Sequence, residues 1–222
     1  MIVLSCYAFI AARSQAKVLK GQPKAPKKTL AFGVIIKQPV FIFLTLLTFG
    51  YGAVEFGNAN WFVSYAQNGL GFTGEQSRNL LAFFTAGMVI SRLTFPFLLR
   101  FVSVHRMIVI MATASLAGVF ALKLMPSFYG IGAGNLMLGL GLGGLFPLAL
   151  SAAMNIDSDN GPVLSGISII GNSTGVQVAS FSTGLWANFV PLTTAFWVIP
   201  LGGCVLWLAS YGYSRKIKYH RS

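Results

Sequence analysis

The chain has 222 residues, 55% of them hydrophobic and only 9% charged, a balance that no water-soluble globule of this size can hide. The 16 Lys and Arg face only 4 Asp and Glu, so the charge that remains is one-sided. Soluble enzymes, disordered tails and disulfide scaffolds are excluded, and an integral membrane protein is expected.

In chain order, residues 1–12 form an apolar run too short to span a bilayer, which needs about 20 residues. It lacks the basic start of a signal peptide, and the expectation is the tail of a helix whose beginning lies elsewhere. Residues 13–38 follow as a basic linker carrying Arg13, Lys17, Lys20, Lys24, Lys27, Lys28 and Lys37 with no acid, broken by Pro23 and Pro26. Six apolar segments come next, at 39–66, 79–99, 107–125, 128–150, 163–187 and 192–213, and residues 214–222 form a basic tail. The fold class expected is all-α: a six-helix transmembrane bundle over 39–213.

Charge sets the orientation. If the linker is cytoplasmic, seven basic residues precede the first span, three (Arg92, Arg100, Arg106) border the second turn and four lie in the tail. Only Arg78 and Lys123 are left outside. That asymmetry places both termini in the cytoplasm. A net charge of +12 would suggest nucleic acid in a soluble protein; here it reads as the positive-inside signature, and no nucleic-acid partner is expected. The bilayer is the expected surrounding. Cys6 and Cys204 lie far apart in apolar stretches, and His105 and His220 cannot build a multi-His site, so no metal or cofactor is expected.

A charge at membrane depth costs about 2.5–3.5 kcal/mol on insertion scales and marks function by default. Glu55 is the acid that meets the description. With Tyr51, Asn58, Phe62 and Tyr65 it follows helical spacing along one face, a stripe suited to a water-filled cavity or to a structural polar cluster. Gly50, Gly52 and Gly57 would let that helix bend or unwind. The fourth segment carries the small-residue pairs Gly130/Gly134 and Gly139/Gly143, which permit close helix approach, together with Asn135. Pro147 is expected to kink its end. The fifth carries Gly171/Gly175, with Ser168 and Asn172 on one face. Arg92 and Arg100 bracket the end of the second segment, where snorkelling is the plain reading. A latch closing on Asp157 and Asp159 in the other internal loop is the functional alternative.

Several motifs taken together resemble the carboxy-terminal six helices of major facilitator superfamily transporters, nearest the fucose permease and sodium-dependent glucose transporter-like group. They are Tyr51-Gly-x-x-Glu55 with Asn60-Trp61 and Ser64-Tyr65-Ala66, and Gly87-Met-Val-Ile-Ser-Arg-Leu-Thr94. To these are added Gly143-Gly-Leu-Phe-Pro-Leu-Ala-Leu150, and Gly161-Pro-x-x-Ser-Gly166 leading into Ile169-Ile-Gly-Asn172. The second turn lacks the superfamily's loop Asp, and six spans are half of its twelve. The resemblance implies two three-helix inverted repeats and alternating-access transport of a sugar or similar small polar solute. It also implies that any cation-coupling carboxylates lie largely in another half, supplied by a second six-helix partner or a homodimer. The substrate face expected is Glu55, Asn58, Phe62 and Tyr65, with Asn135 and Asn172 as partners. A non-transporting six-helix membrane protein remains the alternative. Enzymes are not expected: no HExxH is present, and neither histidine lies in a span within reach of a serine.

Overall fold

Each apolar segment becomes a helical rod in the structure, a computed structural model that describes residues 38–157 and 159–221. The run at 1–12 and nearly all of the basic linker lie outside the described residues. Helix α1 spans Pro39–Ser64 and continues as a π-helical turn, Tyr65–Gly69. Pro39 starts it where a missing N–H costs nothing. α2 is Gly74–Leu98, α3 Val104–Leu124, α4 Phe128–Leu142, α5 Leu145–Met154 and α6 Gly161–Ala187. The short α7, Leu192–Ala195, precedes α8, Val198–Arg221. No strand occurs among the described residues.

Local chemistry sets the boundaries. α2 begins five residues earlier than hydropathy alone places it, because Thr73 and Gln76 form a reciprocal capping box that carries Glu75 and Arg78 into the helix. Ser127 caps α4 by accepting from the Gly130 N–H at 3.1 Å. The fourth rod breaks at Gly143–Gly144, one turn before Pro147, whose ring nitrogen cannot donate to the Gly143 carbonyl. α8 runs on through the basic tail to Arg221 rather than ending near Tyr213.

Five rods are long and apolar enough to cross a membrane: Pro39–Gly69, Gly74–Leu98, Val104–Leu124, Phe128–Met154 and Leu192–Ile217. The fifth segment forms a helix of 27 residues, α6, but is not among them. Its Ser, Thr, Asn, Gln and Gly content lowers its hydropathy. Five of the six expected spans are therefore long and apolar enough to cross a membrane.

The packing crosses the two triplets. α1 lies against α6 and α8, the second and third rods of the later triplet, while α4 lies against α2 and α3, the second and third of the earlier one. α3 and α8 then pack on each other. Glycines make these crossings. A Cβ on Gly50 would fall 2.6 Å from the Leu206 backbone nitrogen, and one on Gly52 would collide with the Asn172 carbonyl. On α4, a Cβ at Gly143 would lie 2.5 Å from the Met88 carbonyl. The glycines of α1 therefore serve close approach, and the helix runs through all three without unwinding.

Candidate functional site

The α1 stripe faces protein along most of its length. Tyr51, Asn58, Phe62 and Tyr65 are buried, and Glu55 alone is partly exposed. The stripe divides into two clusters.

Toward Gly69 every group is engaged by a neighbour. The Tyr65 hydroxyl donates to the Leu122 carbonyl at 3.0 Å, and its ring stacks on Phe196 with centroids 4.1 Å apart. The Lys123 ammonium sits 5.1 Å from the Tyr65 ring centre and 5.2 Å from that of Trp197, and donates to the Thr193 carbonyl. Phe62 is wholly buried against this group, its ring 6.4 Å from that of Tyr65. One turn further in, Asn58 donates to Asn135 Oδ1 at 3.2 Å, with both side chains wholly buried. The second half of that exchange is not made, so Asn58 Oδ1 and Asn135 Nδ2 are left without partners. Phe62 and Tyr65, expected on the substrate face, are buried in the core that α1 forms with α3 and the turn before α8.

Toward the middle of α1 the arrangement differs. Tyr51 stacks on Phe146 at 5.3 Å, and its hydroxyl is within hydrogen-bonding reach of the Glu55 carboxylate. The Arg92 guanidinium acts on both through its charge, and on the Tyr51 hydroxyl as a hydrogen-bonding partner as well. Sequence alone assigns Arg92 to the opposite membrane edge and leaves Glu55 with no evident cation; in the structure the Arg92 charge lies near enough to act on Glu55. The reason is side-chain direction. Arg92 lies six residues before the end of α2, roughly 9 Å along the axis at 1.5 Å per residue. Helical side chains lean toward the N-terminus of their helix, here away from that end and toward Glu55. Its Nε donates to the Gly143 carbonyl at 3.3 Å. That carbonyl is free because Pro147, four residues on, has no N–H to offer it. Proline, carbonyl and guanidinium thus form one chain of cause. Arg92 is otherwise exposed.

The remaining expected residues are placed apart. Asn172 packs against Gly52, one turn before Glu55, and its Oδ1 is buried without a partner. Arg100 lies over the Phe97 ring at 5.6 Å at the end of α2. Asp157 accepts from the Asp159 backbone N–H at 3.1 Å and from Asn160 Nδ2 at 2.7 Å, closing a local turn. The structure does not bring Asp157 or Asp159 to Arg92 or Arg100. Among the described residues no cluster of three His, Cys, Asp or Glu side chains is placed to hold a metal.

A cavity of about 520 Å³ opens at the Gln38 end, lined by Gln38, Ser103, His105, Ser151, Asn155 and Tyr213 among others. It is separate from the Glu55 cluster, and no sequence motif pointed to it. Its lining comes from four rod ends far apart in the chain.

No family model, curated protein or solved structure matches this chain.

Proposed function

We propose that the chain is one six-helix half of an alternating-access transporter for a small polar solute of the sugar class. The observation that carries this reading is the Tyr51–Glu55–Arg92 cluster. An acid and a guanidinium at membrane depth, a phenol between them and Arg92 exposed, make a costly arrangement in lipid. The same groups serve well in a water-filled cavity, where they orient hydroxyl groups while rings such as Tyr51 and Phe146 cover apolar faces.

Two further features support it. Exchanging the first rod for the fourth, the second for the fifth and the third for the sixth maps the major helix contacts onto one another. The members of each pair are three positions apart in the alternating series, so they run in opposite directions, as inverted repeats require. The exposed face of α6 mixes Ser173, Thr174 and Gln177 with Ile170, Val178 and Phe181, a face suited to a second bundle. The sequence motifs of the major facilitator superfamily agree with both. In this reading both termini are cytoplasmic, and the outer wall of the cavity comes from a second six-helix body.

Topology and transport are separately testable. Single cysteines at positions 75, 104 and 159, labelled from outside, should react at 75 and stay silent at 104 and 159; strong external labelling at 159 rejects the orientation. Vesicles holding this chain alone should not take up labelled hexose, because one bundle has nothing to rock against. Robust uptake by a demonstrated monomer sinks the half-transporter reading. Absence of binding in every assembly, including one with a second six-helix body, favours the non-transporting alternative.

A further inference from the structure

Helix α8 carries an aromatic ladder on its outer surface. Trp207 and Tyr211, one turn apart, stack with ring centroids 5.6 Å apart and planes 4° from parallel. One turn on, the Arg215 guanidinium lies 4.9 Å from the Tyr211 ring centre. The deep end of the ladder is fixed to α3, where the Trp207 indole N–H donates to Thr113 Oγ1 at 3.0 Å. Its other end is open: Tyr211 is 40% exposed, and Arg215 is exposed. Stacking engages the face of a guanidinium and leaves the N–H groups in its plane to other partners. Among the described residues Arg215 makes neither a hydrogen bond nor an ion pair. A second cation comes from α3. Gly203 meets Val119 and Trp207 meets Thr113, so α3 and α8 run antiparallel. Arg106 lies seven residues before Thr113 on the same face of α3, and Arg215 eight residues after Trp207. At 1.5 Å per residue both arginines sit roughly 10–12 Å beyond the Thr113–Trp207 bond, at one level. Arg106 is exposed too, and neither helix carries an acid. One turn deeper than each arginine stands an exposed apolar or aromatic residue, Ile110 on α3 and Tyr211 on α8. A free anion would need only the cations; the apolar surface behind them suits an anion that carries a hydrocarbon chain.

We propose that the outer groove between α3 and α8 binds one anionic phospholipid, its phosphate taken by Arg106 and Arg215 and its acyl chains laid along Ile110, Tyr211 and Trp207. The site needs only that the bundle lies in a membrane and does not depend on the transporter reading. In the orientation proposed above it faces the cytoplasmic leaflet, where anionic lipids attract basic residues at the membrane surface. Tyr211 is a positioning residue, holding the Arg215 guanidinium by its ring.

The test uses the full chain in detergent micelles, with phosphatidylglycerol and phosphatidylcholine of matched acyl chains as probes. Bound lipid is counted by native mass spectrometry, and thermal stability is followed in parallel. A single phosphatidylglycerol should be retained per chain, more tightly than phosphatidylcholine. Arg215→Gln and Arg106→Gln should each weaken its retention about tenfold, as expected for loss of a charge-assisted hydrogen bond to phosphate. The melting transition of the lipid-free protein should not move, since both side chains are exposed. Tyr211→Leu keeps every charge yet should weaken retention about threefold, the scale of a lost cation–π contact. Arg100→Gln removes the same charge from the end of α2 and should change retention by less than about twofold. Phosphatidylcholine held as tightly as phosphatidylglycerol overturns the site. So does a loss from Arg100→Gln equal to that from Arg215→Gln, which would show diffuse attraction to a basic end.

Discussion

The two clusters on α1 are built from the same parts and do opposite things. Each has a tyrosine, a cation and a stacked aromatic ring. Around Tyr65 all of them are spent: the hydroxyl on Leu122, the ring on Phe196, the ammonium of Lys123 on two rings and a carbonyl. Around Tyr51, Arg92 spends its Nε on Gly143 and also meets the Tyr51 hydroxyl yet stays exposed, and Glu55 is left partly open. A stripe of residue types therefore does not define a site; unspent hydrogen-bonding capacity does. The Tyr65 cluster fastens α1 to α3 and to the turn before α8, and the Tyr51 cluster offers groups to something outside the bundle.

The sharpest break in this contrast comes from truncating each tyrosine's surroundings. Tyr65→Ala removes a buried ring, its stacking and the lid over Lys123, and should cost about 3–5 kcal/mol of stability, as large aromatic truncations in cores do. A melt in detergent reads this as a large downward shift. A small shift would mean that the outer cluster is not a fastening, and the comparison would collapse.

The Asn58–Asn135 pair lies between the clusters and sharpens the boundary. Asn58→Leu alone strands the Asn135 amide in the core and should destabilise by about 1–3 kcal/mol, the usual cost of an orphaned buried polar group. The double variant, Leu at both positions, removes both polar groups and should recover most of that loss. Recovery assigns the pair to the fastened outer region. A double variant that stays stable yet loses solute binding would move the pair into the site, with its two unpartnered atoms serving a solute hydroxyl.

Much of this was legible from residues alone. Apolar length located the rods, and the small-residue pairs located crossings: Gly139 meets the Phe84 carbonyl and Gly175 the Phe49 carbonyl. Pro147 announced the break in the fourth rod. What escaped was whatever depends on direction or partner. Spacing showed that Glu55, Asn58, Phe62 and Tyr65 share a face, but not that the face turns inward, because an amphipathic stripe looks the same against protein or water. Hydropathy put Arg92 near a membrane edge by its Cα, although its side chain reaches the Gly143 carbonyl and the Tyr51 hydroxyl. α6 was read as a span like the others, and its polar content sets it apart only once the exposed face carrying Thr174 and Gln177 is seen. The Lys123 cluster was missed because a lone lysine near a span end reads as a topology charge; the aromatic rings of Tyr65 and Trp197 that receive it are far away in sequence.

The smallest expected effect bears most directly on the open cluster. Glu55→Gln keeps the shape of the side chain and its hydrogen bond to Tyr51 but removes the negative charge. Because Glu55 is partly exposed and in no direct ion pair, stability should change by less than about 0.5 kcal/mol, as for ordinary surface substitutions. Binding should respond more. Hydrogen bonds to an ionised acceptor are roughly twice as strong as neutral ones, so glucose, held through its hydroxyls, should weaken about tenfold. Unchanged glucose binding would place Glu55 outside direct contact with the solute. A drop in stability comparable to that of Tyr65→Ala would make Glu55 part of the fastening after all.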